Sequence, residues 1–315
     1  MSNSWVKRPL AGDMQGKSRL PHRFRRNNSA LIGAVIVIAF AVMAVLAPWL
    51  SPYDPLTRFD PPPGLHNPLP PLAEDETGHQ FLLGTDKFGR DILSRALYGV
   101  RALLLLGSGS VLVAFILGVA VGGTAGYLGG SWVDELIMRG VDIMLAFPTL
   151  ILILALLGAF GTGPIRVGPV ILGNLAKVIL IIGFTYSPRL ARLTRAMVLK
   201  EMAEEYVMAA RAIGSSPLRV LFRQVLPNAL PPLLVQASLM MASAVLAGAS
   251  LSFLGLGLQP PRPSLGLMLS EARDYLFWGA WWYMLVPGGL ITLAVLGFNL
   301  LGDGLRDVLD PRKIG

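Results

Sequence analysis

The chain has no cysteine among its 315 residues, which excludes disulfides, zinc–thiolate sites and cysteine nucleophiles. Charge is scarce as well: only 15% of residues are Asp, Glu, Lys or Arg, against about a quarter in a soluble globular chain. Histidine is confined to His22, His66 and His79. Apolar side chains make up 53% of residues, and the mean hydropathy is +0.59. This balance argues against an ordinary cytosolic enzyme. It fits several bilayer passages, each needing about 20 mostly apolar residues to cross about 30 Å of hydrocarbon. The net charge of +8 would suggest nucleic acid on a soluble chain. On a membrane chain it reports which side faces the cytoplasm.

Charge-poor stretches predict an all-α integral membrane fold with about six transmembrane helices and both termini cytoplasmic. The expected spans are Ala30–Leu50, Ala102–Leu128, Ile143–Gly161, Val167–Pro188, Ala229–Leu258 and Met284–Gly302. They divide the chain into a basic tail (1–29), a first helix (30–50), an outer segment (51–101), a five-helix core (102–302) and a C-terminal tail (303–315). The core contains a cytoplasmic loop at 188–230. The first run is longer than the 7–15 residues of a signal-peptide core, and Pro48 follows the small-residue candidate Val45-Leu46-Ala47. An uncleaved helix is therefore expected. Lys177 interrupts the fourth span and is expected to snorkel to the outer interface. Phe277, Trp278, Trp281, Trp282 and Tyr283 read as an aromatic belt at headgroup level. With the N-terminus inside, the inner segments hold 18 Lys/Arg and 10 Asp/Glu, while the rest holds nine of each. That is the positive-inside pattern.

Five of these spans carry no ionisable residue, whereas proton- or voltage-driven machines need such groups inside the membrane. No histidine lies in a span, and His66 and His79 read as solvated loop residues rather than metal ligands. Gly12 to Ser18 resembles a phosphate-binding loop but has three residues between its glycines, where four are required. No energy source is visible. In the second span Gly118, Gly122, Gly126 and Gly130 recur at every fourth position, the spacing of a close helix-packing seam. Pro148 and Pro287 predict kinks in the third and sixth spans.

The 188–230 loop is long for a plain connector. Arg189, Arg192 and Arg195 prolong the fourth span into the cytoplasm. Gly214 is a natural helix stop, Ser216 a natural N-cap and Pro217 a natural first helical residue. Leu218, Leu221, Phe222 and Val225 then fall on one helical face. A DNA-binding helix-turn-helix is disfavoured by spans tethering both sides, so no nucleic-acid partner is expected. A docking elbow for a cytoplasmic partner fits both the apolar stripe and the missing energy source.

These residues resemble a known family. Met208-Ala209-Ala210 through Gly214, and then Gln224-Val225-Leu226-Pro227, is similar to the EAA loop of bacterial ABC importer permeases. Met208 and Gln224 stand where that motif has Glu and Ile. The stretch Leu83-Gly84-Thr85-Asp86 through Gly89-Arg90-Asp91 to Arg95 resembles the signature of the dipeptide, oligopeptide and nickel branch. Leu251 to Pro261 looks like that branch too. The resemblance implies the ABC importer permease fold and a chain with no catalytic residue, coupled to its ATPases through Ala209, Ala210, Gly214, Leu218, Leu221, Phe222, Leu226 and Pro227. It implies a homologous second permease, two cytoplasmic ATPase subunits that bind ATP and Mg, an extracytoplasmic substrate-binding protein, and a bacterial inner-membrane location within the lipid bilayer. No cofactor is expected in this chain. The Gly84–Arg95 signature reads either as a salt-bridged cap on the second span or as a contact for the substrate-delivery protein. A nickel or other small-solute importer is the nearest alternative. A self-contained channel or secondary carrier is the alternative from another class.

Overall fold

The computed structural model describes residues 27–161, 163–167 and 170–309. The Gly12–Ser18 stretch, His22, most of the basic tail and the last six residues lie outside them. Helix α1 spans Asn28–Leu50, capped by the Asn27 side chain, which accepts from the Ala30 amide. The outer segment is mostly irregular. It contains a small antiparallel hairpin, β1 (Ala73–Glu74) with β2 (Gln80–Phe81). Helix α2, Ile92–Tyr127, starts ten residues before the expected span and is 36 residues long, about 54 Å at 1.5 Å per residue. Its first turns are hidden by protein rather than by lipid. That is why polar residues there did not read as span.

The expected third span is not one straight helix. Helix α3 (Trp132–Ala146) stops before Pro148, and α4 (Thr149–Phe160) leaves at a bend of 95°. Pro148 cannot supply the amide that would continue α3, and it sits as the N-cap of α4. A second hairpin, β3 (Ile165–Val167) with β4 (Val170–Leu172), leads into α5 (Asn174–Met202). The elbow follows as α6 (Glu205–Ala212) and α7 (Pro217–Val220). A five-residue π-helical stretch, Leu221–Val225, then joins α7 to α8 (Leu226–Phe253). The chain closes with α9 (Leu265–Ala272), a 3₁₀ stretch (Arg273–Trp278) and α10 (Trp281–Leu309).

Four helical runs are long and apolar enough to cross a membrane: α1, α2, α7 through α8, and α10. The bent pair α3–α4 would be a fifth if it forms one broken span. Helix α5 has the length, but Lys177 and its arginines keep it outside that set.

The glycine seam predicted on α2 packs against α5. A Cβ at Gly118 would strike Leu190, one at Gly122 the backbone of Ala191, and one at Gly126 the carbonyl of Arg195 and the side chain of Val198. Gly130 is not part of it: it lies beyond the helix at φ +78°, where an added Cβ would meet nothing. A second seam joins α1 to α10, with Gly33 against the Leu300–Leu301 backbone and Gly304 against Ala30. One apolar core unites α1, α2, α8, α9 and α10, and another unites α2, α4, α5 and α8.

Lys177 does not snorkel. It is 2% exposed, and its ammonium donates to the carbonyls of Gly161 (2.5 Å) and Gly163 (2.7 Å), just past the end of α4. These two carbonyls take the place of water around the ammonium. The aromatic belt divides. Phe277 (93%) and Trp278 (85%) stand fully outside, whereas Tyr283 is buried.

Candidate functional site

The elbow begins at α6, whose end is a complete Schellman motif. The Ser215 amide donates to Ala210 O and the Gly214 amide to Arg211 O, both at 3.0 Å, with Gly214 at φ +84°. Only glycine takes that conformation without strain. Ser216 occupies the N-cap position of α7 and Pro217 its first turn, although the Ser216 hydroxyl makes no capping bond.

Beyond α7 the ladder widens. The Leu226 amide donates to Leu221 O, five residues back. Pro227 has no amide to offer the next carbonyl, and the wider turn accommodates that loss. The shift in register divides the predicted apolar stripe. Leu221 and Val225 turn inward with Val220, onto Val198, Val207 and Ala210, and Leu226 packs at the edge. Leu218 (64%) and Phe222 (63%) face out with Met208 and Ile213. Ala209 and Pro227 are exposed. The outward set is therefore an apolar face on a rigid turn, and Leu221 belongs to the elbow's interior.

Tyr206 ties the elbow to α5 and α8. Its hydroxyl donates to Glu201 Oε2 at 2.6 Å and accepts from Asn228 Nδ2 at 3.0 Å. Burial raises the Tyr206 pKa, and the neighbouring Glu201 carboxylate adds to the rise.

The three arginines of α5 do not simply lead into solvent. Arg189 donates to Thr149 Oγ1 (3.1 Å), Arg192 pairs with Asp142, and Arg195 grips both oxygens of Asp134 at 2.6 Å. Hydrogen bonds from Arg195 hold the Asp134 carboxyl below its ordinary value. This ladder brackets the α3–α4 bend. Sequence reasoning missed it because the acceptors lie 40 to 61 residues upstream. The eight-residue interval between Asp134 and Asp142 was the available signal.

The Gly84–Arg95 stretch is not a surface salt-bridge pattern. Thr85, Asp86, Arg90, Asp91 and Arg95 are all buried. Asp86 Oδ2 lies 2.6 Å from Arg90 Nε and 3.2 Å from Arg95 Nε. Both guanidinium groups also reach Glu271 on α9, at 3.2 and 3.7 Å, and the Tyr283 hydroxyl donates to the same carboxylate. Asp91 caps α2, accepting from the Ser94 amide (2.7 Å) and hydroxyl (2.5 Å); burial pushes its pKa up against those bonds. Gly84 (φ +78°) and Gly89 (φ +74°) let the backbone of Leu69 and Phe59 approach where a Cβ would collide. Thr85 accepts from the Leu69 amide and donates to Asn67. The signature is a buried knot that fastens the outer segment to α2, α9 and α10.

No group of three or more His, Asp or Glu that could hold a metal occurs among the described residues. His79 instead pairs with Asp75 at 3.0 Å within the first hairpin.

Residues 114–315 match the family described as binding-protein-dependent transport system inner membrane component, and residues 20–71 match the N-terminal transmembrane domain of oligopeptide transport permease C. The dipeptide transport system permease protein DppC of Escherichia coli K12 is 46% identical over 92% of this chain and 91% of its own length. The di/tripeptide transport system permease protein DppC of Pseudomonas aeruginosa UCBPP-PA14 is 43% identical over 92% and 90%. Among solved structures, a chain of the MetNI methionine ABC transporter in an inward-facing conformation superposes with a TM-score of 0.52 at 21% identity. That match covers 68% of this chain and 96% of the other.

Proposed function

The chain belongs to the family of binding-protein-dependent transport system inner membrane components, and from that premise we propose that it is the permease subunit of an ATP-driven importer of dipeptides and oligopeptides. Relatives at 46 and 43% identity are named for dipeptide and for di- and tripeptide transport respectively, which favours peptide over nickel. The chain is a multi-pass protein of the bacterial inner membrane. A second, homologous permease completes the translocation path, and two cytoplasmic ATPase subunits bind ATP and Mg. An extracytoplasmic binding protein delivers the peptide. The lysine and arginine bias supports cytoplasmic termini and a cytoplasmic elbow.

The observation that carries the mechanism is the exposed apolar face of the elbow, formed by Leu218 and Phe222 with Met208 and Ile213. Leu218 and Phe222 would seat in a cleft of the ATPase, and Gly214 sets the angle between α6 and α7. ATP-driven closure of the ATPases would move this turn. The π-helical stretch would pass that movement into α8, exchanging outward for inward access. In energetic terms, ATP binding on a partner biases a two-state membrane element.

The test is affinity purification of the tagged chain in mild detergent. One similar permease and one or two ATPase subunits should accompany it. Phe222→Asp should release the ATPases, while Gly214→Val should insert and assemble normally yet fail to transport. Unchanged ATPase recovery with Phe222→Asp would overturn the docking role. Leu221 is unsuitable as the probe, because its replacement by Asp would disrupt the elbow's own interior.

A further inference from the structure

Phe88 sits at the tip of the Asp86–Arg90 turn and is 41% exposed, outside the Tyr53–Phe59–Phe81 aromatic cluster beside it. Three cations surround its ring: Arg58 at 5.2 Å, Lys87 at 5.0 Å and Arg90 at 4.7 Å from the centroid. Asp86 and Glu271 neutralise Arg90. Arg58 and Lys87 have no carboxylate partner among the described residues. The outer side of the ring therefore carries two uncompensated charges.

The turn that presents this group is stiff. Asp86 Oδ1 accepts from the amides of Phe88 (2.8 Å) and Arg90 (3.0 Å), and the Gly89 amide donates to Asp86 O at 3.0 Å. The Phe59 amide donates to Gly89 O at 3.0 Å, which ties the segment carrying Arg58 to the same turn. An aromatic held in place before binding loses little entropy on docking, and aromatic–arginine clusters are the usual anchors of protein interfaces.

We propose that Phe88, with Arg58 and Lys87, is the docking point for the extracytoplasmic substrate-binding protein, which meets it with an apolar pocket rimmed by acidic side chains. The proposal rests on the permease function stated above and adds the surface and the chemistry of its partner. Its distance along α2 from the apolar part of that helix favours a protein over lipid headgroups. Arg101 is exposed on α2 and bounds the apolar part of that helix. Ile92, beside the turn, stands nine residues further out, about 14 Å at 1.5 Å per residue. The headgroup layer adds only about 5–8 Å on each side.

The experiment uses the assembled importer in phosphatidylcholine nanodiscs, titrated with its peptide-loaded binding protein. Phe88→Ala and the double variant Arg58→Glu/Lys87→Glu should each weaken binding about tenfold or more. Basal ATPase activity should not change, and neither should the affinity of a Leu65→Ala control. Wild-type affinity should fall with added salt, and the double variant should lose most of that dependence. Wild-type affinity in both variants would overturn the patch alone. Loss of binding only to phosphatidylglycerol vesicles would overturn it in favour of a lipid role. A wild-type complex that recruits no ATPase and binds no delivery protein would overturn the permease reading together with the patch.

Discussion

Asp75 closes the first hairpin. Its Oδ1 accepts from the amides of Thr77 (2.9 Å) and His79 (2.8 Å), and the Thr77 hydroxyl reaches both carboxylate oxygens. Burial pushes its pKa up, but the bonds from His79 and Thr77 prevail and hold it at about 2. An unfolded Asp titrates near 3.9. The folded value is depressed, so this carboxylate stabilises the hairpin above about pH 4, and that contribution is lost as pH falls through about 2. Asp75→Asn should lower the unfolding temperature of the purified protein at neutral pH. The difference from wild type should close as pH falls from about 4 to about 2. A constant difference across that range would show that the charge is irrelevant. At this scale the sequence was legible where backbone chemistry dictates the residue. Gly214 was readable because a helix stop needs a left-handed residue. Lys177 was misread because its partners are backbone carbonyls of the connection after α4, which carry no side-chain signature.

Between elements, the α2–α5 seam carries the packing of the core. At Gly122 even a methyl group would meet the Ala191 backbone. Gly122→Ala should therefore destabilise the protein by about 1–3 kcal/mol, the usual cost of overpacking. Gly158→Ala, where the added carbon meets nothing within 4 Å, should leave the unfolding temperature unchanged. Equal unfolding temperatures for the two variants would refute close packing at the seam. The four-residue glycine period announced the seam but not its partner, because α5 answers with Ala191 and Val198 rather than glycines. The α1–α10 seam was illegible. Gly33 is isolated in sequence, and its counterparts Gly297 and Gly304 lie far away. The α3–α4 break was half legible: Pro148 marked the place, but apolar residues on both sides concealed the angle. In the elbow, simple helical periodicity put Leu218, Leu221, Phe222 and Val225 on one face. The π-helical stretch divides that set, and the bare sequence signal for it was Pro227 alone.

Across the whole molecule, direction is the property to measure. A cysteine-free chain accepts single reporter thiols without background. Leu65→Cys should react with an impermeant maleimide only from outside intact spheroplasts. Ser215→Cys should react only after the membrane is opened. The reverse pattern would invert the assignment of inner and outer surfaces. The buried ion knot at Arg90, Arg95 and Glu271 joins chain segments separated by 181 positions. The outer face is therefore completed only when α9 has arrived.

Lys177 and α4 bear on how the chain is made. With 12 residues, α4 reaches only about 18 Å, short of the hydrocarbon thickness. On leaving the ribosome ahead of α5, it would have terminal carbonyls with no donor in lipid. Helix α5 alone would bring an ammonium with no acceptor. Each supplies the other's missing solvation through Lys177 and the carbonyls of Gly161 and Gly163. Inserted together, α4 and α5 would enter the bilayer with that ammonium and those carbonyls already paired.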